Sequence, residues 1–181
     1  MQPLFIPEAF TTLECNQITK AARQADSADA KLVRGDYAHD IRRADLVWTD
    51  DLPGMDWVMD RLIDLLREAN RSFGFALDAM LESPQVARYG AERQGHFAWH
   101  SDIGKGELAA RRKLTLVVQL SEPDSHEGGA LELRPSTARL TAPRDQGHAV
   151  VFPSFMLHRV TPVTAGERHS LAIWAHGPAF R

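Results

Sequence analysis

The sequence of 181 residues contains a single cysteine, Cys15. One cysteine excludes an intrachain disulfide and a zinc cluster held by several thiolates. The sequence also lacks any run of about 18 consecutive apolar residues, which a transmembrane helix needs. The opening segment MQPLFIPEAF lacks the basic and then apolar regions of a signal peptide. We therefore expect a cytoplasmic protein that has no membrane partner.

A strong charge of one sign is also missing. The formal net charge is −3 with the eight histidines counted as neutral, which provides no general electrostatic attraction to nucleic acid. Hydrophobic residues make up 44% of the chain and charged residues 25%, a composition that excludes a disordered or fibrous chain. At this length we expect one domain over residues 1–181.

The first 84 residues contain two helical patterns. Apolar positions at helical spacing follow Thr12, which we expect to cap the first helix. The stretch 55–73 predicts a longer helix, because its apolar residues form one stripe and its charged residues lie largely outside that stripe. The stripe consists of Val58, Leu62, Leu65, Leu66, Ala69 and Phe73. We interpret it as core-facing, and residues 1–84 as a mixed helix and strand layer that supports the rest of the chain.

After Gly74 the pattern changes to short runs rich in β-branched and aromatic residues, separated by turn-forming residues. The eight predicted strands are Gln85–Tyr89, His96–His100, Leu114–Leu120, Ala130–Leu133, Ala138–Thr141, His148–Phe152, His158–Val160 and Ser170–Ala175. Short strands at fairly even spacing are typical of a sandwich, barrel or jelly roll. The predicted fold is therefore mainly β with N-terminal helices (α+β), with the β core over residues 85–177.

In the run HFAWHSD, His100 and Asp102 are two residues apart. Side chains alternate faces along a strand, so we expect both to lie on one face. An imidazole and a carboxylate placed in this way can bind a divalent metal, and one further imidazole completes a facial triad with open positions. The distant His158, which lies in a β-rich apolar segment, offers that third ligand.

Arg168 follows His158 by ten residues, across a turn-forming Thr-Ala-Gly segment. A guanidinium in an apolar β segment needs a partner, because a buried and unpaired charge is costly. The planar fork of arginine suits a carboxylate that accepts two hydrogen bonds. We therefore predict that Arg168 binds a carboxylate ligand.

These residues resemble the iron(II)- and 2-oxoglutarate-dependent dioxygenases of the prolyl 4-hydroxylase-like group, which includes the bacterial PKHD-type hydroxylases. The family pattern is His-x-Asp, a distal histidine, and a later arginine or lysine that binds the distal carboxylate of 2-oxoglutarate. The matching residues are His100, Asp102, His158 and Arg168. Further matches are RYG at Arg88–Gly90, GGALEL at Gly128–Leu133 and HRVTPVTAGER at His158–Arg168. The resemblance covers roughly residues 85–177 and implies a double-stranded β-helix (jelly roll) core.

The resemblance also implies three further contacts with 2-oxoglutarate. Tyr89 matches a tyrosine that hydrogen-bonds the co-substrate, and Trp174 matches an aromatic residue that packs beside it. Thr115 lies on the strand whose side chains commonly reach the same carboxylate as Arg168. Many prolyl hydroxylases carry a tyrosine on that strand, but LTLVVQL has none. Arg168 is therefore expected to be the main anchor.

The implied activity is the hydroxylation of an unactivated C–H bond, with iron(II) as the metal, 2-oxoglutarate and O2 as co-substrates, and ascorbate as a stimulant. The implied substrate is a prolyl or lysyl residue in a peptide or protein, or a free amino acid or other small metabolite. The protein contributes placement of the reactants and an apolar lining that restricts solvent. The expected lining residues are Phe97, Trp99, Phe152 and Trp174.

Two other classes remain open from the residues alone. A cupin-type dioxygenase or isomerase shares the jelly roll, but it usually has His-x-His in place of His-x-Asp and needs no arginine after the last ligand. A non-enzymatic jelly-roll module would hold a structural metal such as zinc, which takes a fourth protein ligand. His96 is the obvious candidate for that ligand, since it is expected on the same strand face as His100.

The segment Ile103–Lys113, IGKGELAARRK, starts one residue after a candidate ligand, so we expect it at the mouth of the site. Its two glycines and four basic residues fit a lid that would favour acidic substrates, or a solvated surface loop. For three histidines the sequence identifies no partner: His39, His126 and His176.

Overall fold

The computed structural model describes residues 1–25, 28–29 and 40–180, with only the backbone described at 28–29. His39 lies outside these residues. The α-helices are α1 (Thr12–Gln24), α2 (Asp56–Phe73) and α3 (Glu107–Arg111), and short 3-10 turns lie at Thr49–Asp51, Ala91–Arg93 and Pro123–Ser125. Among the described residues, none of the helices combines the length and apolar character that a membrane span requires.

Thirteen strands lie within the described residues. They are β1 (Leu4–Ile6), β2 (Ala28–Asp29), β3 (Arg42–Arg43), β4 (Asp45–Trp48), β5 (Gln85–Gly90), β6 (His96–His100), β7 (Arg112–Gln119), β8 (His126–Gly128), β9 (Leu131–Arg134), β10 (Leu140–Thr141), β11 (Ala149–Pro153), β12 (Leu157–Val160) and β13 (Val163–His176). Each of the eight predicted strands overlaps one of these. The largest difference is at the end of the chain, where the predicted strand 170–175 is the second part of the long β13.

The strands form two antiparallel sheets. The larger sheet has the order β1-β11-β7-β13-β5-β4-β2, and β8 pairs with the first part of β13. The smaller sheet has the order β10-β9-β12-β6-β3. Residues of both sheets share one apolar core, so the sheets face each other. The predicted mainly β fold with N-terminal helices is confirmed.

The first 84 residues contribute strands to both sheets as well as helices. In the larger sheet β1 pairs with β11 and β4 pairs with β5. In the smaller sheet β3 pairs with β6. Backbone hydrogen bonds therefore join the N-terminal layer to the β core. The boundary at residue 84 and the assignment of one domain stay predictions.

Helix α1 begins one residue later than its cap. Thr11, rather than Thr12, is the cap: its hydroxyl accepts a hydrogen bond of 3.2 Å from the Glu14 N–H. The Glu14 carboxylate in turn accepts a bond of 2.8 Å from the Thr11 N–H. This reciprocal capping box satisfies two N–H groups that the first turn leaves free. The prediction that Thr12 caps the helix is wrong by one position.

Helix α2 covers the outer face of the larger sheet. Its residues Val58, Leu62, Leu66 and Ala69 are buried in one core with side chains of β7, β11 and β13. Gly74 ends the helix at φ 70°, a left-handed conformation that glycine adopts without steric cost. The predicted core-facing stripe is confirmed, and it leaves the opposite face of the larger sheet free to line a site.

Candidate active site

The candidate site lies between the two sheets and takes residues from both. Strands alternate their side chains, so one face of β7 and β13 turns to the helices and the other to the smaller sheet. On β7 the buried Leu114, Leu116 and Val118 belong to the helix-facing core. On the opposite face, a cavity is lined by Thr115, Val117, Arg168, Ser170, Ala172 and Trp174 of β7 and β13, and Arg112 at the start of β7 also borders it.

The metal-ligand candidates come from the smaller sheet. Strands β6 and β12 are neighbours, and His100 and His158 are directly opposite each other in their ladder. The Asp102 carboxylate lies between the two rings, with Oδ1 3.5 Å from His100 Nε2 and Oδ2 3.5 Å from His158 Nε2. All three candidate ligand atoms lie within 4.8 Å of one another. Two imidazoles and one carboxylate on one side of a site fit the facial triad of a non-haem iron(II) oxygenase.

Both imidazoles are oriented by backbone carbonyls. His100 Nδ1 donates to the Ala98 carbonyl at 2.7 Å, and His158 Nδ1 donates to the Met156 carbonyl at 2.9 Å. In the neutral form of each ring, these bonds place the proton on Nδ1 and leave Nε2, which is directed at Asp102, free to bind a metal. Burial lowers the pKa of His158 to about 4, against the opposing effect of Asp102. The ring is therefore neutral, which is the form that binds a metal.

Asp102 is held from three directions. β6 ends at His100, and Asp102 follows in an irregular segment whose N–H donates to the Ser154 carbonyl at 2.8 Å. Its carbonyl accepts a bond of 3.1 Å from Arg112, and its carboxylate accepts one of 2.7 Å from the Thr115 hydroxyl. The strand thus ends at His100, as predicted, and Asp102 lies beyond it, but the two side chains do meet.

The electrostatics of the triad favour an ionised carboxylate. Burial alone would raise the pKa of the Asp102 carboxyl, but the neighbouring His158 and His100 hold that pKa well below its usual range. Asp102 is 7% exposed. A buried carboxylate that stays ionised beside two imidazole Nε2 atoms attracts a cation.

A β-bulge separates His96 from the triad. The register between β6 and β12 shifts between the His100–His158 pair and the Phe97–Val160 pair, because β6 has one extra residue there. Phe97 therefore shares a face with His100, and their rings stack at 3.4 Å between centroids. Among the described residues, His96 does not belong to the candidate metal cluster. The expectation that His96 shares the face of His100 is wrong, and no fourth ligand for a structural zinc comes from it.

The same bulge turns Trp99 away from the cavity. Its ring contacts three guanidinium groups on the outer side of the smaller sheet, those of Arg134, Arg139 and Arg159. Phe97 and Trp174 line the cavity as predicted. Phe152 does not line it: this residue is fully buried, with its ring 4.8 Å from that of His158. Trp99 as a lining residue is therefore a wrong prediction.

Arg168 lies on β13 and is 1% exposed. Its guanidinium donates to Gln119 Oε1 at 2.8 Å and to the Ser170 hydroxyl at 3.2 Å, and it lies 5.4 Å from the centroid of the Tyr89 ring. Burial lowers its pKa. Among the described residues no carboxylate forms an ion pair with it. Because a buried guanidinium without a counter-charge is costly, this site fits an anionic ligand such as the distal carboxylate of 2-oxoglutarate.

The other predicted co-substrate residues border the same cavity. Tyr89 lies directly opposite Arg168 in the ladder of β5 and β13, and Trp174 lies directly opposite Thr115 in the ladder of β13 and β7. The Thr115 hydroxyl, however, contacts Asp102, a candidate metal ligand. All four residues line the cavity. Their contacts with 2-oxoglutarate stay predictions.

No pattern in the sequence indicates an ion-pair network that lies beside the triad. Arg112 donates to both carboxylate oxygens of Glu82, and its guanidinium stacks on the Trp174 ring at 4.0 Å. His176 Nε2 lies 3.0 Å from the same carboxylate. Hydrogen bonds from His176 and Arg112 overcome the effect of burial and lower the pKa of Glu82 to about 2. Glu82, Arg112 and His176 are far apart in sequence, and no motif joins them.

The cavity has a volume of about 1290 Å³ and contains the triad and Arg168. Part of the segment 103–113 borders its mouth, as the sequence predicts, and α3 forms within that segment. Three of the four basic residues there are already engaged. Arg111 binds Asp78, Arg112 binds Glu82, and Lys113 is buried against Phe180. Lys105 is the remaining one, and it lines the cavity.

The sequence matches known families in agreement with this geometry. Residues 84–176 match the family model of the 2OG-Fe(II) oxygenase superfamily. A PKHD-type hydroxylase of Pseudomonas fluorescens is 30% identical over 176 residues, covering 94% of this chain and 76% of that protein. A PKHD-type hydroxylase of Klebsiella pneumoniae is 28% identical over 171 residues, covering 93% of this chain and 76% of that protein.

Solved structures show the same fold. A prolyl-4-hydroxylase of Pseudomonas putida superposes with a TM-score of 0.75 at 20% identity, covering 96% of this chain and 91% of that one. A prolyl hydroxylase of Trichoplax adhaerens, solved with a peptide of hypoxia-inducible factor, superposes with a TM-score of 0.80 at 17% identity, covering 96% and 83%. The two-sheet architecture is therefore that of the prolyl hydroxylases.

Proposed function

This chain belongs to the 2OG-Fe(II) oxygenase superfamily, and we propose that it hydroxylates a prolyl residue of a peptide or protein. As a member of that family it is an iron(II)- and 2-oxoglutarate-dependent oxygenase. One observation supports the assignment of its site most strongly: a His-Asp-His cluster and a buried arginine border one cavity, and no carboxylate of the described residues pairs with that arginine. A cytoplasmic location stays a prediction from the sequence.

In this proposal His100, Asp102 and His158 hold the iron. The two imidazoles present Nε2, since their Nδ1 atoms are occupied by backbone carbonyls, and the carboxylate supplies the negative charge. Bound iron(II) and 2-oxoglutarate would supply the oxidising chemistry, in which 2-oxoglutarate and O2 are consumed, succinate and CO2 are released, and a C–H bond becomes C–OH. Thr115 fixes the rotation of the carboxylate through its hydroxyl.

Arg168 binds the distal carboxylate of 2-oxoglutarate in this proposal. Gln119 and Ser170 accept hydrogen bonds from its guanidinium and thereby fix the direction of its remaining donors. Tyr89 and Trp174 flank the co-substrate, and Phe97 closes the apolar wall beside His100. Together they exclude water from the site, which limits wasteful turnover.

The prolyl assignment has two supports. The relatives named above include prolyl hydroxylases, one of them solved with a peptide. The cavity is larger than 2-oxoglutarate alone requires, and its rim carries exposed apolar side chains: Ile41 is 40% exposed and Leu108 is 44% exposed. A rim of this kind can accept the apolar ring of proline while the rest of the peptide stays outside.

The test is succinate formation from 2-oxoglutarate by the purified protein with iron(II) and ascorbate, in the presence of proline-containing peptides. We expect succinate release that requires iron(II), stops on addition of a chelator, and is accompanied by hydroxylated peptide in the mass spectrum. Free proline and lysine-containing peptides serve as the comparison substrates. Hydroxylation of free proline, with none of the peptides hydroxylated, would show that the substrate is a small molecule and would reject the proposed peptide or protein substrate.

A further inference from the structure

Arg42 lies at the edge of the smaller sheet, beside the candidate metal centre. It is on β3, directly opposite Phe97 of β6, and its side chain lines the cavity. Its guanidinium carbon lies 4.6 Å above the Phe97 ring, which in turn stacks at 3.4 Å on the His100 ring. The guanidinium is therefore no more than about 8 Å from a candidate iron ligand, given these two contacts.

The charge of Arg42 is not matched within the described part of the chain. Its Nε is buried and has no hydrogen-bond partner, and no described carboxylate forms an ion pair with it. Three carboxylates line the cavity. Asp102 lies between the histidines, Glu82 is bound by Arg112 and His176, and Glu107 lies exposed on α3.

Within the described part of the chain, the cavity thus contains two guanidiniums without a carboxylate partner, one on each sheet. Arg168 on the larger sheet is fully buried, holds neutral hydrogen-bond partners and is assigned to 2-oxoglutarate. Arg42 on the smaller sheet is half-buried. A buried N–H left without an acceptor costs about 1–3 kcal/mol, and the fork of arginine suits a carboxylate. Lys105, the fourth basic residue of the segment 103–113, adds positive charge at the same cavity.

We propose that Arg42 binds a carboxylate of the substrate that is hydroxylated, so that the enzyme selects a prolyl residue beside an acidic group. This inference rests on the proposed function, since it names the class of peptide that enters the same site. The carboxylate belongs either to an Asp or Glu side chain next to the proline or to a C-terminal proline itself. Both present the same chemistry to the guanidinium.

The test measures peptide binding to the holoenzyme with iron(II) and 2-oxoglutarate under anaerobic conditions, by calorimetry. Blocked tetrapeptides carry Glu, Gln or Lys on either side of proline, and a second pair ends in proline as the free acid or the amide. We expect at least about tenfold tighter binding of one acidic peptide than of its neutral counterpart, because a close charge pair is lost in the latter. Which pair shows the difference identifies the source of the carboxylate.

Three variants attribute the preference to Arg42. Arg42→Gln should abolish the difference between the acidic and neutral peptides, and Arg42→Lys should retain part of it. Arg43→Gln is the matched control, since Arg43 pairs with His96 on the other face of β3 and contacts Asp40 and the Arg93 carbonyl. It should keep the full preference.

Equal binding of acidic and neutral peptides by the wild-type protein would overturn the inference, as would a preference that survives in Arg42→Gln. The same peptides assayed in air separate the two proposals. Hydroxylation of all peptides with equal efficiency would retain the proposed function and reject the role of Arg42. Tight, Arg42-dependent binding of acidic peptides without hydroxylation would retain the role of Arg42 in binding a carboxylate and reject prolyl hydroxylation as the function.

Discussion

The Thr115 hydroxyl donates a hydrogen bond of 2.7 Å to Oδ2 of Asp102, across the gap between the two sheets. Thr115 and Ser154 are both buried, and their hydroxyls lie 3.1 Å apart. The Thr115 hydroxyl donates its single proton to the carboxylate, so in the contact with Ser154 the Ser154 hydroxyl is the donor and Thr115 accepts. The Asp102 carboxylate is thus oriented by a chain of two hydroxyls from the opposite sheet.

Thr115→Val keeps the shape of the side chain and removes this hydrogen bond. We expect iron(II) affinity to fall by about 10- to 100-fold, the usual cost of losing a partner of a metal ligand. Thr164→Val makes the same chemical change at an exposed position and should leave the affinity unchanged. An unchanged iron affinity combined with a raised KM for 2-oxoglutarate would instead support the sequence-based assignment of Thr115 to the co-substrate.

Removal of any one triad residue should abolish stoichiometric iron binding. The variants are His100→Ala, Asp102→Ala and His158→Ala, and each removes one of the three clustered ligand atoms. We expect far-UV circular dichroism to show a folded β protein in each case, because the ligands line a cavity rather than fill the core. His96→Ala is the control and should bind iron as the wild type does. Normal iron content and succinate release in any triad variant would exclude that residue as a ligand.

The strands and long helices are predictable because period-two and period-3.6 patterns persist along them. The errors occur where one residue breaks the period. The bulge in β6 places Phe97, not His96, beside His100 and turns Trp99 outward. Nothing in the letters HFAWH marks that extra residue, since the bulge depends on pairing with β12.

The candidate ligands were predictable from spacing, but the residues that hold them were not. Glu82 and Arg112 are 30 positions apart and meet only because the chain folds back beside β7. Gln119 gives a weak signal, as a polar residue inside the apolar run LTLVVQL. No sequence pattern singles out Arg42, because whether a guanidinium has a carboxylate partner depends on which carboxylates the fold brings near it.

Arg168→Ala should raise the KM for 2-oxoglutarate with little effect on iron affinity. Truncating one partner of a buried charge pair costs about 2–5 kcal/mol, so a loss of at least about tenfold is expected. Arg168→Lys should recover part of the loss, since lysine keeps the charge without the planar fork. Arg67→Ala removes the same charge from an exposed position on α2 and controls for net charge. An unchanged KM in Arg168→Ala would reject the assignment of this residue to the co-substrate.

Stability should fall as the pH drops below about 6.5. Burial, assisted by Arg144 and Arg168, lowers the pKa of His126 from its ordinary 6.5 to about 4. Between these values the unfolded chain takes up a proton that the folded chain does not, so the free energy of unfolding decreases by up to about 1.4 kcal/mol per pH unit for this one group. Urea unfolding at several pH values should therefore show a smaller pH dependence in His126→Gln than in the wild type. Identical slopes would mean that His126 titrates normally in the fold.

The segment Ile103–Lys113 should act as a lid only over its first half. Gly104 N–H reaches the Ala109 carbonyl at 3.3 Å, a long bond, whereas the second half is anchored by the ion pairs of Arg111 and Arg112. We expect the amide hydrogens of residues 103–106 to exchange rapidly with solvent in the iron–oxoglutarate form. They should become protected when a peptide that the enzyme hydroxylates is bound. Amides 111–113 should be protected in both states.

Gly104→Ala tests whether that flexibility is used. The added Cβ would meet only the Ala109 side chain, at 3.5 Å, so the variant should fold and gain about 0.4–1 kcal/mol of stability through a less flexible unfolded chain. If the lid must open for entry, the variant should show slower exchange at 103–106 and a slower association rate for the peptide. Equal exchange with and without substrate, together with an unchanged association rate in Gly104→Ala, would leave the segment as a surface loop, because a lid has to change its exposure when the site fills.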